Sequence, residues 1–273
     1  MSFPAIKLSY KDIRKRGIFM KYLIKHFAGM AVICSLITLF FSFFYLFTSP
    51  CRANTVEESR FFANPYSEGL PTLIDVPFYS QLDILPTGCE TVSAYMLLEY
   101  YGCAPSLSEL VSSLDKADFS YLPDGTLAAP SPDEAYIGDS WTDEGYGCYP
   151  PVIVRLLSLY LPDPLQAVDM SGTSMEDLTT LYTDQGIPAL VWTTMYMKET
   201  YPSSTWQLLD EHGECTGETF TWMANEHCMV LIGCDDQFYY FNDPLQASGV
   251  TAYEKELFKD RYESMGMRCV VIR

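Results

Sequence analysis

The chain has 273 residues and carries 35 acids against 17 lysines and arginines, a net charge of −18. That length accommodates one domain of ordinary size and an additional segment, and the acidity argues against nucleic acid or an anionic lipid surface as a ligand.

The basic residues are unevenly placed. Lys7, Lys11, Arg14, Lys15, Arg16, Lys21 and Lys25 precede residues 27–47, FAGMAVICSLITLFFSFFYLF, which contain no charged side chain. At 1.5 Å per residue this run spans about 31 Å, enough to cross a bilayer core. The reading is a basic cytoplasmic N-terminus over 1–26, a transmembrane anchor over 27–47 and a linker over 48–70. By the positive-inside rule, a domain over 71–273 then faces the extracytoplasmic side. The small residues Ser49 and Ala53 keep a cleaved signal segment open, and a cleaved chain would be secreted. Ten basic and 34 acidic residues follow the apolar run, so the exported part carries −24. This charge predicts solubility and an electrostatic preference for basic peptides.

The segment LIDVPFYSQ reads as a strand or an extended lead into PTGCETVSAYMLLEYYG. There Thr87 and Glu90 have the spacing of a capping box, and Ala94, Leu97, Leu98 and Tyr101 form a helical stripe ending at Gly102. Cys89 falls in the first helical turn, where the dipole favours a thiolate. The dipole alone supplies about 0.3 to 1 kcal/mol, whereas lowering a thiol from about 8.5 to about 4 requires roughly 6 kcal/mol. A reactive Cys89 therefore needs a partner, normally histidine; without one it is a buried packing residue.

Ser106 and Glu109 repeat the capping-box spacing ahead of a second short helix. Residues 128–151, rich in Pro and Gly, predict a long loop that either carries solvated acids or lines a cleft. Helices are expected over Val152–Leu161 and Met175–Gln185. PALVWTT, GETFTWM, HCMVLIGC, FYYFND and CVVI then read as strands, with a helix over Tyr253–Met265 before the last. Helices first and strands later indicate an α+β fold.

HCMVLIGC and FYYFND flank the turn residues Asp235, Asp236 and Gln237, and His227 and Asp243 each lie eight residues from Asp235. A hairpin there brings the two opposite one another to within a residue or two. Cys89, His227 and Asp243 then supply the nucleophile, base and orienting acid of covalent acyl transfer. Gln81, with its side-chain N–H pair, is the candidate oxyanion donor. His212 reads as a surface residue, Trp192 and Trp222 as core packing ahead of cleft lining, and Cys228 and Cys234 as core fillers. Holding Cys89 free leaves an odd number of exported cysteines, which argues against a dense disulfide framework. The absence of C-x-x-C gives a structural zinc site little support.

VPFYSQLDILPTGCETVSAYMLLEYYG, EHCMVLIG and YYFNDP together resemble the C39-like cysteine peptidases of the papain-like superfamily over roughly residues 71–273. The resemblance implies a papain-like α+β fold, with the nucleophile at the start of a buried helix packed on an antiparallel sheet that carries the His and Asp. It implies Cys89 as nucleophile, His227 as base, Asp243 as orienting acid and Gln81 in the oxyanion hole, with no metal or organic cofactor. The expected function is a membrane-anchored, extracytoplasmic cysteine peptidase that cleaves peptide or protein substrates through a thioester acyl-enzyme. The rivals are an NlpC/P60-like cell-wall amide hydrolase, whose D-C-S-G context is replaced here by G-C-E, and a catalytically silent tethered binding domain.

Overall fold

The computed structural model describes residues 73–273. The expected basic N-terminus, anchor and linker lie outside the described residues. Among the described residues no helix is long and apolar enough to cross a membrane.

The helices are α1 (Cys89–Tyr100), α2 (Leu107–Ser112), α3 (Pro150–Ser158), α4 (Met175–Leu181) and α5 (Lys255–Ser264). Six strands form one sheet in the order β11-β10-β9-β6-β12-β5, comprising Val250–Glu254, Phe238–Asn242, Glu226–Cys234, Ala189–Thr194, Cys269–Ile272 and Ala167–Asp169. Every neighbouring pair in it is antiparallel. A second sheet orders β2 (Ser120–Tyr121), β3 (Leu127–Ala129), β7 (Tyr201–Leu209) and β8 (Cys215–Ala224). The short strands β1 (Lys116–Ala117) and β4 (Tyr136–Ile137) pair in parallel.

The central sheet is apolar on both faces because its middle strands alternate between two cores. Leu190, Trp192, Cys228, Val230, Val270 and Ile272 meet α1 and α3 on one face. Ala189, Val191, Met229, Leu231, Phe241 and Val271 meet α4 and α5 on the other. Helix α1 is buried along most of its length, from Cys89 through Leu98, and Ser93 anchors it to β9 by donating to the Cys228 carbonyl at 3.2 Å. The stripe read from its sequence is therefore one part of a helix enclosed on several sides.

The strands expected from PALVWTT, HCMVLIGC, FYYFND and CVVI form as β6, β9, β10 and β12. GETFTWM lies in β8, but in the second sheet, paired with β7. The C-terminal helix begins two residues later than Tyr253, because Val250–Glu254 adds an edge strand to β10. Ser106 and Glu109 close a complete capping box on α2. The equivalent box on α1 does not form: its N-cap is Gly88, with no side-chain cap. Thr87 Oγ1 donates instead to the Thr142 carbonyl at 3.0 Å, and Glu90 turns into the protein, where its Oε1 accepts from the Cys148 N–H at 2.7 Å.

Candidate active site

The start of α1, the first residues of β9, the segment after β10 at Leu245 and the 128–151 loop converge on an open cleft of about 340 Å³. Gln81, Cys89, Tyr146, Trp222, Glu226 and His227 are on its walls. The long loop thus lines the cleft, through Gly145 and Tyr146. Gly145 is required there: a Cβ would lie 2.8 Å from the Asp139 carbonyl oxygen and collide with Thr87 Oγ1. Trp222 is a cleft residue as well as a packed one, stacked on Tyr149 with centroids 5.7 Å apart. Trp192 is fully buried, and its indole donates to the Cys148 carbonyl at 2.9 Å. His212 is on the surface, Cys228 is buried in the core shared with α1, and Cys234, at the far end of β9, is half-buried against the core on the other face.

The hairpin delivers His227 and Asp243 to one another. The β9–β10 register pairs Asn242 with Val230, across a bulge at Tyr240/Phe241, so Asp243 follows on the diagonal from His227. His227 Nε2 and Asp243 Oδ1 are 2.7 Å apart, and both side chains are sealed from solvent. Oδ1 also accepts from the Leu245 N–H at 2.9 Å. Oδ2 accepts from the Tyr253 hydroxyl at 2.8 Å and from Gln246 Nε2 at 3.2 Å. Burial alone would raise the Asp243 carboxyl, but the His227 contact and these donors outweigh it and hold it at about 2. With Nε2 committed to Asp243, Nδ1 is the imidazole nitrogen left for the cleft.

Cys89 stands at the N-terminal end of α1, where first-turn amides lack partners within the helix. Its thiol donates to Glu90 Oε2 at 3.2 Å, and among the described residues no hydrogen bond joins it to His227. Strand alternation explains this: Glu226 is on the Cys228 face of β9, toward α1, and His227 on the Met229 face. The cysteine thiol, the Glu90 carboxyl and the Glu226 carboxyl gather within 4.8 Å of one another. Burial and then the two carboxyls push the Cys89 thiol up. Burial also raises Glu90 and Glu226, and for Glu226 the nearby Glu90 adds to it while Arg268 partly offsets it. Burying two carboxyls side by side favours their neutral forms.

Gln81 is buried at the cleft wall, tied by its N–H to the Pro244 carbonyl at 2.8 Å, next to Asp243. Its amide Nε2 donates to the carbonyls of Leu85 and Pro86 at 3.2 and 3.0 Å, and its Oε1 has no partner.

Tyr253, Gln246 and Glu226 were not singled out by the sequence. Tyr253 is supplied by an edge strand whose pairing is not local. Glu226 had one available signal, its place directly before His227 at the start of a strand.

A model of the Peptidase_C39 like family matches residues 73–270. The chain belongs to the Peptidase_C39 like family. A curated relative in this similarity range, the uncharacterized protein YvpB of Bacillus subtilis (strain 168), is 26% identical over 223 residues, covering 81% of this chain and 80% of YvpB. The structure of a protein assigned as a C39-like peptidase from Bacillus anthracis superposes with a TM-score of 0.64 at 29% identity, over 75% of this chain and 98% of that one. A double-glycine-motif protease from an AMS/PCAT transporter, solved with a leader peptide, gives a TM-score of 0.40 at 16% identity, over 74% of this chain and 94% of that one. The Peptidase_C39 like domain is a mixed α and β structure in which the segments VPFYSQ, PTGCE, EHCMV and YYFNDP contribute walls of a single cleft or the residues directly behind it.

Proposed function

We propose that this member of the Peptidase_C39 like family is a cysteine peptidase acting on extracytoplasmic peptide or protein substrates, held at the membrane by residues 27–47. The observation that carries the reading is the buried His227–Asp243 pair, whose His227 lines the same cleft as Cys89 at the mouth of α1. In the proposed reaction Cys89 rotates away from Glu90 and passes its proton to His227 Nδ1. The thiolate attacks the scissile carbonyl, imidazolium returns the proton to the leaving amine as the C–N bond breaks, and water, deprotonated by His227, then hydrolyses the thioester and restores the Cys89 thiol. Asp243 holds the ring by Nε2 and stabilises its positive form. First-turn amides of α1 receive the oxyanion, joined by Gln81 once one of its two carbonyl contacts is exchanged. The acidity of the exported part favours basic peptides.

The Cys89–Glu90 hydrogen bond and the raised thiol support a second reading, a catalytically silent binding domain. One experiment separates the two: the pH dependence of iodoacetamide alkylation at Cys89 in the full-length chain, read by mass spectrometry, in wild type and His227→Ala. Labelling of wild type that persists below about pH 6 and is lost in the variant supports the peptidase. Identical thiol-like titration in both proteins supports the silent domain.

A further inference from the structure

The peptidase reading leaves Glu90 and Glu226 without a role, although both sit against the nucleophile. Glu226 is 7% exposed, and its Oε1 has no hydrogen-bond partner. An unpaired buried acceptor is costly. Among the described residues neither carboxyl forms a salt bridge. Two ionisable oxygens and a thiol thus converge with no basic group paired to them.

We propose that Cys89 Sγ and the carboxylates of Glu90 and Glu226 form a binding site for a thiophilic divalent cation such as zinc. The three donors lie within 4.8 Å of one another, and Sγ and Glu90 Oε2 are already 3.2 Å apart. Tetrahedral zinc, with bonds of about 2.3 Å to sulfur and about 2.0 to 2.2 Å to oxygen, needs such donors roughly 3.5 Å apart. Small side-chain movements close the set. The Cys148 N–H holds Glu90 Oε1 and fixes the carboxylate's orientation, the kind of outer contact that orients a metal ligand. Gly147 allows the approach, because a Cβ there would collide with Glu90 Oε1 and lie 3.3 Å from Glu226 Oε2. Cys89 and Glu226 both line the cleft, which gives the cation an entrance and leaves its fourth position open to water or substrate.

As the metal–sulfur bond forms, the thiol proton leaves to solvent, together with any proton held by the carboxyl pair. The bound cation holds the sulfur on the Glu226 side of β9, away from His227. It acts as a reversible inhibitor. That inhibitory consequence rests on the peptidase reading, whereas the binding does not.

The test is a cadmium titration of the chelator-treated full-length chain, following the ultraviolet thiolate-to-metal charge-transfer band. Cys89→Ala is the blank for the other thiols. The proposal expects one saturable equivalent in wild type that is absent from Cys89→Ala and unchanged in His227→Ala. In Glu226→Gln the midpoint should rise at least about tenfold, since outer-shell changes alone cost 10- to 100-fold. No Cys89-dependent band, a wild-type midpoint in Glu226→Gln, or loss of the band in His227→Ala overturns it, the last assigning the metal to the Cys–His pair. Should Glu226→Gln not fold by circular dichroism, zinc protection of Cys89 against iodoacetamide decides: protection in both wild type and His227→Ala is expected, and its absence in either refutes the site. Metal binding by a protein without peptidase activity leaves this inference standing and removes the proposed function.

Discussion

His227 and Asp243 meet at 2.7 Å, Nε2 to Oδ1, with both side chains shut off from solvent and the carboxylate held by three further donors. Asp243→Asn removes the negative charge while keeping the size. An imidazolium beside a neutral amide is less stable than one beside a carboxylate. We expect the Cys89 alkylation rate at pH 6 to fall at least about tenfold in Asp243→Asn, with the acid limb moved to higher pH. An unshifted limb would mean that Asp243 does not act through the imidazole.

The same contact predicts a pH dependence of stability. The carboxyl titrates at about 2 in the folded chain, against about 3.9 in an unfolded one. A lowered folded value contributes stability that is present above about 3.9 and lost as pH falls through about 2, here roughly 2 to 3 kcal/mol. Urea unfolding between pH 2 and 5 should therefore be flatter for Asp243→Asn than for wild type. Parallel curves would refute the assignment.

The two capping-box spacings predict opposite results. Ser106 accepts from the Glu109 N–H, and Glu109 answers the Ser106 N–H, so Ser106→Ala should cost about 1 kcal/mol in urea unfolding. Glu109→Ala should cost a comparable amount and be non-additive with it. At α1, Thr87 makes no cap. The loss in Thr87→Ala should instead be coupled to Tyr136, whose hydroxyl contacts Thr87 Oγ1 at 3.0 Å. A double-mutant cycle with Tyr136→Phe measures that coupling, and strict additivity would contradict it.

Trp192 ties β6 to the residues before α3 through its indole contact to the Cys148 carbonyl. Trp192→Phe leaves that buried carbonyl short of a donor and should cost about 1 to 3 kcal/mol, in addition to the loss of packing. A denaturation midpoint unchanged from wild type would show that water or another donor replaces the indole.

Sequence alone was sufficient where the contacts are local. β9 and β10 are consecutive and joined by a short turn, so the approach of His227 to Asp243, 16 residues apart, follows from turn length to within the bulge at Tyr240/Phe241. The Ser106–Glu109 cap is equally local. Tertiary structure decided what depended on distant partners. Glu90 had the spacing to cap α1, but the Cys148 amide, 58 residues away, took its carboxylate inward. Tyr253 reached Asp243 because an edge strand formed where a helix start was expected. Glu226 was set against Cys89 because β9 presents alternate residues to opposite faces and α1 covers one of them. The sequence by itself determined which candidate residues neighbouring turns bring together. The side of the sheet each one faces, and hence whether the cysteine meets an imidazole or two carboxyls, was set by packing between segments far apart in the chain.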